Sequence, residues 1–429
     1  MAGFIFENGS QTQATAYTAD DNLVFNTLTP DQITVTFNPA TGLSIPTITL
    51  AGGGQSLDFN AGELADASLA NHLVFVTGGA TLVIGGDTTN DALAAAGSAA
   101  DAVYGFGGDD TIAIGGAGAH IAHGGDGEDT FNIAAASTGN YNVFGEGDDD
   151  TVDGSAATGH LNIFGGLGAD DLSGGDGNDH IYGNVASPSG TVDDGADVIA
   201  AGAGSDYVNG NAGTDDIDGG AGSDRLFGGA GNDTIAGGTG DGNDTINGNK
   251  GNDDITGGDG VDSLRGGAGD DTVDGGAGVD IVLGDLGDDS LSGGAGVDTL
   301  TGGDGADTFA FADGDAALPA SSGALKGLTD TITDFTAGTD FIVIAGHDAP
   351  ADGELLFQEE DTSFATLAAA QSYAQQLLTI SANTDDIAAI QVGADTYLFY
   401  DAGGGATIDA TIKLVGVTAA DLTIDDFTA

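Results

Sequence analysis

Twelve aspartates stand in phase between Ala201 and Ala310: Asp206, Asp215, Asp224, Asp233, Asp244, Asp253, Asp262, Asp271, Asp280, Asp289, Asp298 and Asp307. Two residues after each comes an apolar side chain, from Val208 and Ile217 to Leu300 and Phe309. Most are preceded by a glycine pair, as in Gly228-Gly229-Ala230-Gly231-Asn232-Asp233-Thr234-Ile235-Ala236. Every unit has nine residues except GGTGDGNDTIN, which has eleven. Carboxylates at fixed spacing, with glycines that leave backbone carbonyls uncovered, make an array of hard oxygen donors.

The elements that position these donors follow from the same unit. Its six glycine-rich residues suit a loop, and its last three a short strand with the apolar residue pointing inward. Two units close one turn of a flattened right-handed coil, and successive turns pair at about 4.8 Å. Alternate units then lie above one another. Asp206, Asp224, Asp244, Asp262, Asp280 and Asp298 form one edge, and Asp215, Asp233, Asp253, Asp271, Asp289 and Asp307 the other.

Two such columns of like charge repel unless a cation lies between neighbours. Ca²⁺ fits, because it takes six to eight oxygen ligands in irregular geometry and accepts carbonyls as readily as carboxylates. Zinc and copper want His or Cys, which this stretch lacks, and magnesium demands stricter octahedral geometry. If each ion needs two stacked loops, the array holds about ten. The plainer reading of any one aspartate is a solvated loop acid, above all at Asp206 and Asp307, the ends of the array.

Upstream the repeat is imperfect. GFGGDDTIA, GGDGEDTFN, GGLGADDLS and GGDGNDHIY fit it and add Asp110, Asp129, Asp170 and Asp179 as candidate ligands. Between them GGAGAHIAH puts His120 in the aspartate position, the segment around Asn140 to Phe144 lacks a glycine pair, and Asn184 to Asp194 is an insertion. His120 and His123 stand three apart, but histidines in loops are expected at the polar surface.

Composition narrows the function. Sixty-eight acids face five bases among 429 residues, a formal charge of −63, which excludes nucleic acid and anionic lipid as partners. No apolar run approaches the roughly twenty residues of a membrane span, so no membrane insertion is expected. No basic region followed by a long apolar run opens the chain, so no cleavable signal peptide is expected there. With 79 glycines and this charge, the metal-free chain should fold poorly. The absence of cysteine removes disulfides and thiolate metal sites.

Four regions result. Residues 1–100 are a β-rich N-terminal region, with strands at Ile33 to Phe37, Ile45 to Leu50 and Leu73 to Val76, read as an anchoring or assembly segment. Residues 101–200 are an irregular β-helix, and 201–310 the regular roll. Residues 311–429 are a small α+β cap, with strands at Thr331 to Phe335, Phe341 to Ile344, Ile390 to Val392, Tyr397 to Tyr400 and Ile412 to Val417. A helix from Phe364 to Ile380 is capped by Ser363. The fold class is all-β: a parallel β-roll or β-helix solenoid with two nonapeptides per turn.

The nonapeptide GGxGxDxUx resembles that of the RTX (repeats-in-toxin) proteins, closely over Ala201 to Ala310 and loosely over Gly105 to Tyr182. The resemblance implies a calcium-binding β-roll, export from Gram-negative bacteria by type I secretion machinery that reads an uncleaved C-terminal signal, and folding on meeting external calcium. DTITDFTAGTDFIVI and DTYLFYDAGGG also resemble the segment that follows the roll in serralysin-type secreted proteins.

No H-E-x-x-H, G-x-S-x-G or P-loop occurs. The expected role is therefore not enzymatic. It is that of a secreted, extracellular structural protein, at the cell surface, that associates with itself in a layer, fibre or adhesive coat, with a cell-envelope polysaccharide as its anchor. A secreted RTX hydrolase or toxin with its catalytic region in the N-terminal part is the alternative.

Overall fold

The computed structural model describes residues 90–184, 195–312, 329–344, 367–380, 387–400 and 410–428, with short strands and single residues elsewhere. It divides into two compact units, Met1–Ile217 and Asp218–Ala429.

In the first unit each short strand pairs in parallel with its counterpart one turn away. Ala102, Ile121, Asn142, Asn162, His180 and Tyr207 stand in register in one sheet. Ala92, Thr111, Thr130, Thr151, Asp171 and Val198 do so in the other. The turns vary in length, from 18 residues between Leu161 and Asp179 to 27 between Asp179 and Asp206. Loops absorb the difference while the apolar positions stay aligned, because a one-residue slip would turn every inward side chain to solvent. Ile112, Phe131, Val152, Leu172 and Ile199 thus form one buried column, and Val103, Ala122, Val143, Ile163, Ile181 and Val208 another. The expected insertion lies outside the described residues from 185 to 194.

The coil starts earlier than residue 101, since Leu82–Ile84 pairs in parallel with Ala102–Gly107, and Ala92–Gly97 with Thr111–Gly116. Before it, Thr34–Asn38, Thr47–Gly52 and Gln55–Asn60 form an antiparallel sheet, and Gly3–Ile5, Asn22–Phe25 and Leu73–Phe75 a parallel one.

The second unit holds the regular turns. Thr245, Ser263, Ile281 and Thr299 stand in register at a constant interval of two nonapeptides. Leu226, Ile246, Leu264, Val282, Leu300 and Ile332 fill one side of its interior, and Ile235, Ile255, Val273, Leu291, Phe309 and Ile342 the other, all at most 1% exposed. Burying such a side chain contributes about 1.5–3 kcal/mol, and a stack of them holds turns that have little else inside.

The pattern expected to stop at Ala310 instead gains another turn. Asp330–Ile332 pairs with Thr299–Asp304, and Phe341–Ile344 with Thr308–Phe311, both in parallel. The cap then covers this last turn: Ala410–Leu414 adds to Asp330–Ile332, and Phe427–Thr428 to Phe341–Ile344. Both strand edges of the last turn are thereby paired. Ile387–Val392, Asp395–Tyr400 and Ala410–Leu414 form an antiparallel meander. The helix Leu367–Ile380 packs Ala370 and Ala374 against Ala388, Ile390 and Phe399. It begins three residues later than Phe364, whose ring packs against this cluster. The expected Ser363 cap lies outside the described residues.

Candidate metal-binding ladders

The aspartates do not point into solvent. Those of the repeat are at most 5% exposed, and from Asp224 to Asp307 each side chain folds back over the first glycine of its own unit, whereas Asp206 has Ala201 in that place. A Cβ on Gly257 would collide with Asp262 Oδ2 and with the carbonyl oxygen of Gly275 one turn on, so that position must be glycine. The next residue takes positive φ, as Gly267 does at +120°, which re-aims the chain around the carboxylate.

Successive aspartates are then linked by bonds that reach across a turn, from the N–H of one to the carboxylate of the next. In the second unit Asp244 N–H donates to Asp262 Oδ1, Asp262 N–H to Asp280 Oδ1 and Asp280 N–H to Asp298 Oδ1, all at 2.8 Å. Asp224 N–H reaches Asp244 Oδ1 in the same way. On the opposite edge Asp233, Asp253, Asp271, Asp289 and Asp307 form the equivalent series at 2.8–3.1 Å. The two edges are those expected from the spacing. Neither ends at the array: Asp298 N–H donates to Asp330 Oδ1, and Asp307 N–H to Asp340 Oδ1.

In the first unit one edge is as complete, linking Asp91, Asp110, Asp129, Asp150, Asp170, Asp197 and Asp215 through successive N–H to Oδ1 bonds of 2.7–3.0 Å. Asp179 and Asp206 are joined on the other edge. Every candidate ligand therefore lies in a ladder. Asp91, Asp150, Asp197, Asp330 and Asp340 are added, and each could have been found from the aspartate and the apolar residue two positions on, without the glycines.

The second carboxylate oxygen decides what the ladders can do. Oδ2 of Asp110, Asp129, Asp150, Asp179, Asp253, Asp262, Asp271, Asp280 and Asp289 is buried with no hydrogen-bond donor. Burial raises the pKa of these groups, to about 6 at Asp110, Asp179 and Asp289, about 7 at Asp129 and Asp271, and about 9 at Asp150, with neighbouring aspartates adding to the rise at most of them. The bond from the preceding turn's N–H works against it. A buried anion with an unused oxygen is costly unless a cation meets it, so the donor set fits the hard cation inferred from the sequence. Among the described residues no three His, Asp or Glu side chains converge. An ion here must draw on backbone carbonyls as well as carboxylates, which suits Ca²⁺.

A second, exposed rail runs beside one edge of the second unit. Asn232 Oδ1 accepts from Asn252 N–H, Asn252 Oδ1 from Asp270 N–H, Asp270 Oδ1 from Asp288 N–H and Asp288 Oδ1 from Ala306 N–H. The other edge carries Ser223 and Asn243, then Val261 and Val279, both more than half exposed.

The histidines do not form the metal pair that their spacing could suggest, nor are all of them surface groups. His120 is fully buried. His123 lies half-buried between the rings of Tyr104 and Phe144, with Nδ1 2.8 Å from Glu146 Oε1. This is one step in a column of rings, Tyr104, His123, Phe144, Phe164 and Tyr182, stacked at 4.6–5.0 Å with planes within 9° of parallel. Their faces cover one another, so only ring edges are presented outward.

A family model, the RTX calcium-binding nonapeptide repeat (4 copies), matches residues 162–185 and, in overlapping segments, 191–315. The solution structure of the AlgE6R3 subunit from the Azotobacter vinelandii mannuronan C5-epimerase is 26% identical, over 39% of this chain and 78% of that one, with a TM-score of 0.26. No curated protein sequence matches the chain. Among the described residues no helix is long and apolar enough to cross a membrane.

Proposed function

The chain carries RTX calcium-binding nonapeptide repeats, and from that premise we propose that it is a secreted structural protein that folds on external Ca²⁺ and associates with itself in a surface layer, matrix fibre or adhesive coat. One observation carries the calcium part: buried Oδ2 atoms of opposed aspartate ladders have no protein donor. Bound calcium supplies the positive charge these oxygens lack.

The chain's own groups do the rest. Asp253, Asp271 and Asp289 on one edge, and Asp244, Asp262 and Asp280 on the other, hold carboxylates in place through the N–H to Oδ1 bonds, while the apolar columns keep successive loops in register. These donors come together only in the stacked turns, so ion binding and folding are one equilibrium. At the low calcium of a cell interior, the acidic chain remains unfolded and fit for export by a type I system.

Self-association is supported by side chains that the fold leaves uncovered. Val261, Val279, Ile281 and Leu286 are at least 50% exposed on an otherwise acidic unit. Electron microscopy and sedimentation with and without calcium test this reading, with sheets or fibres expected only in its presence. A protein that stays monomeric at millimolar calcium, and off the cell surface, sinks the assembly claim.

A further inference from the structure

The register of the first unit exposes a change of chemistry along one edge. The residue just before each of the registered positions Ala102, Ile121, Asn142, Asn162, His180 and Tyr207 fills the aspartate position, and in order these are Asp101, His120, Tyr141, Leu161, Asp179 and Asp206. Three consecutive turns lack the carboxylate, and all three replacements are buried to 1% or less.

His120 performs both halves of the aspartate's task. Its Nδ1 accepts from Asp101 N–H at 3.2 Å, the bond that Oδ1 accepts elsewhere. Its Nε2 lies 3.1 Å from the carbonyl oxygen of Gly115. A backbone N–H can only donate and a carbonyl can only accept, so these two nearest partners fit a neutral ring with its proton on Nε2, with Asp101 Oδ2 standing farther from Nδ1 at 3.4 Å. Burial lowers its pKa, in keeping with that form. Gly115 is the first glycine of its unit, the position against which Oδ2 lies in the aspartate units. Where a carboxylate leaves an acceptor facing acceptors, the imidazole brings a donor.

The next two turns complete the seam. Tyr141 donates its hydroxyl to Gly116 O at 2.7 Å, with its ring centroid 5.1 Å from that of His120. Leu161 fills its position with hydrocarbon against Gly154. The stacked rings of His123, Phe144 and Phe164 stand three residues after these replacements, so the strands they lead gain packing on their outer face.

We infer that this edge, through His120, Tyr141 and Leu161, holds its turns together without calcium, so that the first unit keeps its fold at calcium levels at which the second has lost its own. The inference rests on the calcium reading above. The opposite edge of the same turns retains Asp110, Asp129, Asp150 and Asp170, so the first unit's need for calcium is reduced rather than abolished.

Hydrogen exchange of the full chain at stepped free calcium tests it. Amides of Ile121–Asp126 and Tyr141–Gly147 should lose protection at a calcium level at least about threefold below that for Thr245–Lys250 and Ser263–Ala268. His120→Asp, which replaces the donor by a second acceptor, should raise the first unit's midpoint towards the second's, whereas His120→Gln, with one acceptor and one donor, should leave it low. If His120→Asp does not fold, the wild-type series decides alone. Loss of protection in both units at one common calcium level overturns this inference and leaves the calcium reading intact. Protection in both units that ignores a chelator overturns both.

Discussion

The regular turns between Asp224 and Asp307 and the mixed turns between Asp101 and Tyr182 hold the same backbone with different means. In the regular turns every loop ends in a buried aspartate, the interior has one apolar side chain per strand on each side, and the outer face is polar or carries isolated aliphatic residues. In the mixed turns one edge keeps the aspartates while the other exchanges them for an imidazole, a phenol and a leucine, and a ring column covers the strands that follow. A β-roll can thus be closed by ligand oxygens awaiting a cation or by side chains that complete their own hydrogen bonds. On the reading proposed above, the first solution makes folding conditional on the cation, and the second lessens that need.

Calcium removal should separate the two regions most strongly. In excess chelator at neutral pH, amides of Thr245–Lys250, Asp254–Gly260 and Thr272–Gly278 are expected to lose essentially all protection, as read by hydrogen exchange. Unchanged protection there would break the comparison at its root.

Acid should partly replace the cation. Burial raises Asp244 and Asp289 to about 6 and Asp271 to about 7, above the ordinary carboxylate value near 4, so the metal-free fold binds more protons than the unfolded chain. Its stability is present below about pH 4 and is lost as pH rises through 6 to 7. Circular dichroism of metal-stripped protein should show β-structure growing as pH is lowered from about 8 to about 4.5.

Core truncation should cost both regions through packing alone. Leu264→Ala, in a fully buried column, should destabilise the calcium-loaded protein by about 2–5 kcal/mol in denaturant titration. Asp262→Asn keeps an Oδ1 acceptor for Asp244 N–H but removes the charge. It should raise the calcium midpoint of the second unit, and Asp262→Ala, which also orphans that N–H, should cost a further ~1–3 kcal/mol. A local effect is expected at Phe144→Leu, which removes two ring contacts at about 0.5–1.5 kcal/mol each and should leave the second unit's calcium dependence unchanged.

Much of the regular region is legible in its residue pattern. Aspartate with an apolar residue two positions on predicts the slot and the inward side chain at once, because strand side chains alternate with period two. The same pair marks Asp150, Asp197, Asp330 and Asp340, hidden only because their loops lack a full glycine signature. The mixed turns were legible only in outline. The nonapeptide already puts His120 in the aspartate position, but the register alone shows it one turn from Asp101, and Tyr141 and Leu161 stay hidden because neither is an aspartate and no glycine pair precedes them. Loop lengths that differ from turn to turn break any reading made by counting.

The sequence by itself determined the repeat, the two-unit turn, the alternation of aspartates between edges and the need for a hard cation, since periodicity and charge are properties of the chain before it folds. Only the tertiary structure decided that Oδ1 of Asp262, Asp271 and Asp280 accepts from the N–H of the preceding turn while their Oδ2 is left for a cation. It alone placed Asp330 and Asp340 as further rungs across an intervening segment, and Tyr141 and Leu161 beside His120 in an aspartate column. These are matters of register between segments far apart in the chain, and register is set by which apolar side chains stack, not by spacing along the sequence.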